Sequence, residues 1–364
     1  MSESESVAEG DALVLSERIS LSSFAGLSLR NGLLNLVTLT LYRFWGKTEV
    51  RRRLWHSIEL NGEPFEYTGR GVELFLGFLI AMGVLVLPFL LVVFGAQFLG
   101  PVVGALIIIP FYLFIGVLAG YGRFTAFRYL ASRSTWRGVR FWLRGSPLDY
   151  GLRWLGYSFL SGFTLGWFWP TAQRRLAAPL WDGLRFGDRR FRFNFDNARE
   201  QGVYGAFAIA WVGGVIAYFV LVGAMIAILG PSLRAGGAPT EPRLADMASF
   251  YLLFGILGLA YIFLLAPYHA AMLRSIARGT SFEGVRFRLN VRWFELAGLT
   301  LSNVLMITFT FGFLMPLAEA RTARFLIRRL STEGQVDLEG VRQSPDMPPR
   351  TGEGIADAFG FSPV

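Results

Sequence analysis

The chain has no cysteine and only two histidines, His56 and His269, among 364 residues. The first absence excludes a disulfide framework, a thiolate nucleophile and a cysteine-based metal site. Two histidines so far apart in sequence do not suggest a histidine metal centre. Charge is scarce as well. Only 17% of residues are charged, against about 25% in soluble domains. Four stretches account for the deficit. Residues 72–95 carry a single charge, Glu73, at one edge, and 101–121, 202–230 and 247–269 carry none. Each exceeds the ~20 residues that cross ~30 Å of hydrocarbon. A buried soluble helix of that length and uniform apolarity is the weaker alternative. No Walker A, HExxH or GxSxG sequence occurs. No concentrated set of acids, bases and nucleophiles can be assembled either. The expectation is a non-enzymatic chain with no catalytic residue, no cofactor and no metal.

What charge there is has a strong bias. The formal net charge is +9, and nearly all basic residues are arginine. A nucleic-acid partner needs a basic face on a folded domain. Here the arginines flank apolar runs, where the positive-inside tendency and anionic headgroups place them. Expected partners are therefore the bilayer and anionic lipid headgroups, with no nucleic acid, and homo-oligomerisation is left open. Residues 46–71 hold five Lys or Arg, 123–149 six, 171–200 seven, 271–292 five and 319–330 four, whereas 96–100 hold none and 231–248 two.

Three shorter apolar segments, 29–45, 150–170 and 293–316, contain Asn, Ser, Thr and Gly in their middles. If they also span, alternation puts the twelve arginines of 171–200 and 271–292 outside together, against the charge rule. If only the four long runs span, every arginine-rich connection is cytoplasmic. The short segments then enter and return, or lie in the interface. Hydropathy alone favours seven spans, and both topologies stand open at this point. Non-helical backbone at membrane depth is tolerated only when buried in protein or facing water.

A repeat runs through the chain. Residues 134–141 (STWRGVRF) reappear as 280–287 (TSFEGVRF), and Thr164, Pro170 and Arg175 reappear as Thr310, Pro316 and Arg321, always 146 residues later. Such duplication in a hydrophobic chain suggests pseudo-symmetry. A weaker offset of 124 sets Thr40, Leu41, Phe44, Trp45 and Arg51 on Thr164, Leu165, Phe168, Trp169 and Arg175. The partition that follows is an acidic disordered tail at 1–18, a short apolar segment with its basic connection at 19–71, membrane repeats at 72–200 and 201–330, and a disordered tail at 331–364. The acidic N-terminus lacks the form of a signal peptide.

Polar residues inside the apolar segments fall into patterns. Asn31, Asn35, Thr38 and Tyr42 share a helical face, as do Thr300, Asn303 and Thr310. Asn31, Asn35, Thr38, Thr300, Asn303 and Thr310 are candidate lining residues of a path or headgroup slot. Interhelical packing is the favoured alternative. The connections read as β structure. Residues 186–195 (FGDRRFRFNF) alternate around a Gly-Asp turn, and 139–143, 285–289 and 63–67, the last after Asn61-Gly62, alternate similarly. Arg51, Arg52, Arg53, Arg189, Arg190 and Arg192 are candidate headgroup contacts. A half-buried sheet with a solvated arginine face is the favoured alternative there too.

Residues 36–47 (LVTLTLYRFWGK) and 61–78 (NGEPFEYTGRGVELFLGF) together resemble the paired motifs of the YjgN-like bacterial inner-membrane proteins. The resemblance extends over about 19–330. It implies a multi-pass protein of the bacterial inner (plasma) membrane, and it carries over no catalytic or binding residue. A glycine is expected in the first motif, as in Thr164-Leu165-Gly166, but Thr40-Leu41 runs on without one.

The expected fold is mainly α. It is a polytopic helical membrane protein with duplicated transmembrane hairpins, short segments that are re-entrant in one of the two topologies, and a small β-rich cytoplasmic layer. The leading function is transport or permeation of a small solute or lipid. The alternative is a non-transporting membrane scaffold or lipid-organising protein.

Overall fold

The computed structural model describes residues 11–98, 100–198, 202–234 and 244–344. The chain alternates between strands of one sheet and pairs of helices. Asp11–Ala12 (β1) and Leu15–Glu17 (β2) lead into Leu21–Val37 (α1) and Arg43–His56 (α2). Ile58–Leu60 (β3) and Glu63–Tyr67 (β4) precede the long pair Gly71–Phe98 (α3) and Gly100–Ser132 (α4). Ser134–Trp136 (β5) and Val139–Leu143 (β6) precede the short pair Pro147–Phe163 (α5) and Trp169–Gly183 (α6). Leu184–Phe186 (β7) and Arg189–Phe193 (β8) precede the second long pair, Val203–Arg234 (α7) and Leu244–Gly279 (α8). Thr280–Phe282 (β9) and Val285–Leu289 (β10) precede Trp293–Phe309 (α9) and Met315–Ile327 (α10), and Leu330–Glu333 (β11) and Gln335–Val336 (β12) follow.

Strands β2 to β11 form one ten-stranded sheet in chain order, every neighbour antiparallel. Three of its hairpins close on two residues of positive φ: Asn61-Gly62 (50°, 83°), Arg137-Gly138 (48°, 75°) and Glu283-Gly284 (44°, 93°). That is the type I′ turn, whose twist matches antiparallel strands. The sheet curls until its ends approach. β1, just before the first strand, pairs with β12, just after the last. The Thr332 hydroxyl of β11 also donates to the Leu13 carbonyl. One face encloses Leu60, Trp136, Phe186, Phe282 and Val285, and Leu13, Val336, Leu338 and Val341 pack into the same core. Residues 11–18 and 331–344, which sequence reading leaves in the tails, thus include four strands and part of this core.

The expectation of a mainly α protein with a small β-rich layer is corrected by this sheet. Ten antiparallel strands in a near-barrel are a principal part of the fold. Each hairpin is two short strands and reads in sequence as a local ornament. The pairing of β4 with β5, of β6 with β7 and of β8 with β9 joins residues separated by whole helix pairs, and no local pattern announces it.

Among the described residues, four helical stretches are long and apolar enough to cross a membrane: Gly71–Gly95, Val102–Ser132, Val203–Ile228 and Met247–Gly279. Two compact units divide the chain. The first comprises residues 1–199, 276–290 and 307–364, the second 200–275 and 291–306. In the first, α4 and α5 pack at glycines. A Cβ on Gly120 would lie 2.8 Å from the Gly151 Cα, and one on Gly116 would lie 2.6 Å from Leu155. This small-xxx-small spacing lets backbones approach, as helices do in membranes. In the second, α7 and α8 meet the same way, Gly213 against Leu264 and Gly214 against Tyr261, with the rings of Phe207 and Tyr268 5.3 Å apart.

Candidate functional site

The three short helix pairs share one turn. In the first, the Thr38 hydroxyl donates to the Leu34 carbonyl (2.7 Å) and accepts from the Tyr42 amide (3.0 Å). In the second, the Thr164 hydroxyl donates to Leu160 (2.9 Å) and accepts from Phe168 (3.0 Å). In the third, the Thr310 hydroxyl donates to Ile307 (3.5 Å) and accepts from Leu314 (3.4 Å). Two residues after each threonine, an amide reaches back into the preceding helix: Thr40 to Asn35 (2.6 Å), Gly166 to Ser161 (2.6 Å) and Gly312 to Ile307 (2.8 Å). One hydroxyl therefore adds a second donor to a carbonyl at the end of one helix, which already accepts a backbone amide, and accepts an amide at the start of the next that otherwise needs water.

The turn forces left-handed backbone. Leu39 and Thr40 (φ 49° and 70°), Leu165 and Gly166 (50° and 92°), and Phe311 and Gly312 (50° and 84°) occupy matching positions. Thr40 therefore stands where the other two turns have glycine. The correspondence between the first and second turns is 126 residues, Thr38 with Thr164, two more than sequence matching suggests. The apices are bare and apolar: Leu39, Leu165 and Phe311 are 84%, 73% and 92% exposed.

Of the six candidate lining residues, Asn31, Asn35, Thr38 and Thr310 belong to the first compact unit and Thr300 and Asn303 to the second. Asn31 is buried and donates from Nδ2 to the Gly46 carbonyl at 3.4 Å, so it ties α1 to α2. Asn35 lies one turn on, and both amide oxygens are buried with no hydrogen-bond partner among the described residues. Thr38 and Thr310 clasp the turns. Asn303 is buried and Thr300 exposed on α9, in the second unit.

The candidate arginines separate too. Arg51 is buried, its Nη1 3.4 Å from the Tyr67 hydroxyl. That hydroxyl continues to Tyr129, then to Glu73, where Arg133 closes the network at 3.0 Å. Arg52 donates to the Gly69 carbonyl, and Arg53 to the carbonyl and hydroxyl of Ser23. Arg189 faces Glu283 at 3.6 Å. Arg190 and Arg192 differ, for both are exposed and line a cleft of about 930 Å³ with Arg278 and Arg286. Sequence reasoning missed the last two. Arg286 lies in an alternating segment that reads as a strand, but its register with Arg192 is set by pairing across Ser281, which the sequence does not announce. Arg278 marks the end of an apolar run. Among the described residues, no group of three or more metal-ligating side chains occurs.

No curated protein and no solved structure matches the chain. The family model for DUF898, described as a bacterial protein of unknown function, matches residues 20–358 and so covers β3 to β11 of the sheet, helices α1 to α10 and the three clasped turns. The chain therefore belongs to the DUF898 family of bacterial proteins of unknown function, the YjgN-like proteins.

Proposed function

We propose that the protein is a multi-pass inner-membrane protein of four spans whose short helix pairs dip into the cytoplasmic leaflet and return, and that it organises lipid rather than transporting solute. The single observation behind this reading is the connectivity of the sheet with the clasped turns. Every helix pair leaves from one strand of the sheet and returns to the next, so each crosses an even number of times. The arginine-rich hairpins then share one side, as the positive-inside tendency requires. The short helices hold 13 to 17 residues, at most about 25 Å of rise, less than the ~30 Å of hydrocarbon. The Gly120–Gly151 approach is antiparallel, and continuing its register sets Phe163 beside roughly Ile108 of α4. That lies well inside the apolar run 101–121. A turn at that depth needs its backbone satisfied internally, and the threonine clasp supplies this. Bare leucine and phenylalanine at the apex suit acyl chains and do not suit an aqueous path.

Spin labels at Leu39, Leu165 and Phe311 in proteoliposomes test the reading. The expected result is frequent collision with oxygen, little with a water-soluble relaxing agent, and no small-solute flux above protein-free vesicles. Water-like collision at the apices would contradict it. Permeation is the second reading, favoured by the amide oxygens of Asn31 and Asn35, which have no hydrogen-bond partner among the described residues. Solute flux that Asn35→Leu abolishes, with folding intact, would establish it in place of the first.

A further inference from the structure

The cleft beside β8 combines three features that a solvated arginine face does not need. First, its arginines are unpaired among the described residues. Arg190, Arg192, Arg278 and Arg286 form no ion pair among the described residues, while the nearby carboxylates are engaged. Asp182 accepts the Phe193 amide at 2.6 Å. Glu283 faces Arg189 at 3.6 Å, and Glu333, opposite Arg286 in the ladder, pairs with Arg288 at 2.9 Å. Second, the register sets the arginines around a centre. Ser281 lies between Arg192 and Arg286 in the cross-strand ladder. With strands ~4.8 Å apart, those two guanidinium stems start about 10 Å apart and can converge on one tetrahedral anion. Third, Arg278 belongs to the last turn of α8, where the apolar stretch ending at Gly279 meets β9. The cleft thus adjoins the point where a spanning helix leaves the hydrocarbon. Its volume of about 930 Å³ matches that of small-ligand sites, which run to about 1,000 Å³.

From this geometry we infer a binding site for a phosphate-bearing anion, held between Arg192 and Arg286 with Arg190 and Arg278 at its rim. Guanidinium forks match phosphate oxygens in pairs, which a lone lysine ammonium does not. The phosphate comes from a lipid headgroup or from a free phosphorylated solute. Only the first source rests on the lipid-organising reading.

The test uses the full-length protein in detergent. Phosphatidylglycerol binding is titrated by native mass spectrometry, and glycerol phosphate binding by calorimetry. The doubly substituted R192Q/R286Q protein is expected to bind about tenfold more weakly, the loss of roughly 1.4 kcal/mol. R192K/R286K should fall between it and wild type. Arg140→Gln, on an exposed arginine of the sheet outside the cleft, should stay within twofold of wild type. Circular dichroism reports folding, and Arg278→Gln, outside the ladder, gives a second reading should the double variant unfold. Lipid binding that glycerol phosphate displaces assigns a headgroup. Glycerol phosphate binding without lipid binding assigns a soluble ligand. The inference is overturned if neither probe binds, if the folded cleft variants bind as wild type does, or if Arg140→Gln weakens binding equally. The calorimetric arm needs no bilayer, so its failure is separate from any failure of the leaflet-insertion reading.

Discussion

The Thr38 hydroxyl accepts the Tyr42 amide at 3.0 Å while donating to the end of the helix that carries it. The Leu34 carbonyl already accepts the Thr38 amide, so what the side chain replaces is the water that an amide at a helix start usually requires. Thr38→Val keeps the shape and deletes the hydroxyl, leaving that amide orphaned. It should cost about 1–3 kcal/mol, seen as a lower midpoint of thermal unfolding in detergent. Thr38→Ser should stay close to wild type. Equal loss in both would mean that the methyl, rather than the hydroxyl, carries the turn.

The left-handed position at the apex gives substitutions of opposite sign. Gly166→Ala and Gly312→Ala place a Cβ at φ of 92° and 84° and should each destabilise by about 1 kcal/mol. Thr40→Gly, at φ 70°, relieves strain and should be neutral or stabilising by a similar ~1 kcal/mol. Unfolding midpoints of the three variants check this.

Close approach of α4 and α5 predicts a steric effect. A Cβ on Gly120 would meet the Trp154 Cβ at 2.5 Å and the Gly151 Cα at 2.8 Å. Gly120→Val forces the two helices apart and should destabilise by about 1–3 kcal/mol. Gly83, whose Cβ would meet nothing within 4 Å, is the control, and Gly83→Val should be tolerated. Comparing the two by thermal unfolding in detergent decides the point.

Glu17 predicts a pH dependence. Its side chain is 5% exposed. Burial alone raises a carboxyl, but the Ile19 amide at 2.7 Å and the guanidiniums of Arg328 (2.5 Å) and Arg324 (3.1 Å) outweigh it and hold Glu17 below its ordinary value. A carboxyl depressed on folding stabilises fully above its unfolded value, about 4.5, and loses that contribution as pH falls through the folded value. Thermal midpoints should therefore drop as pH is lowered from about 5. Glu17→Gln should lower the midpoint at neutral pH and flatten the acid limb. An unchanged acid limb would remove Glu17 from the account.

Much of this was legible in the residues. Asn61-Gly62 and Gly187-Asp188 announced turns, and the alternation at 139–143 and 285–289 coincides with β6 and β10. Residues 72–95 and 101–121 announced long apolar helices. Phe65 opposite Trp136, or Phe193 opposite Thr280, was not legible, because those partners are brought together only when a helix pair folds back on itself. Thr40 was opaque for another reason. A threonine gives no sign of a left-handed backbone, and only the hydrogen bonds around Thr38 set it beside Gly166. The cleft was half visible. Arg190 and Arg192 stood out by alternation, but Arg278 and Arg286 reach them through sheet register.

The central claim is that every strand pair lies on one side of the membrane, so that the short helix pairs enter and return. The chain has no native cysteine, so single cysteines can be introduced at Arg137, Asp188 and Glu283, in three sheet turns, and at Gly236, between α7 and α8. Intact cells are then treated with a membrane-impermeant maleimide. The account predicts labelling at 236 alone, with 137, 188 and 283 reacting only after permeabilisation. Labelling of 188 or 283 in intact cells while 137 is protected would put the turns on opposite sides, and the account would be wrong.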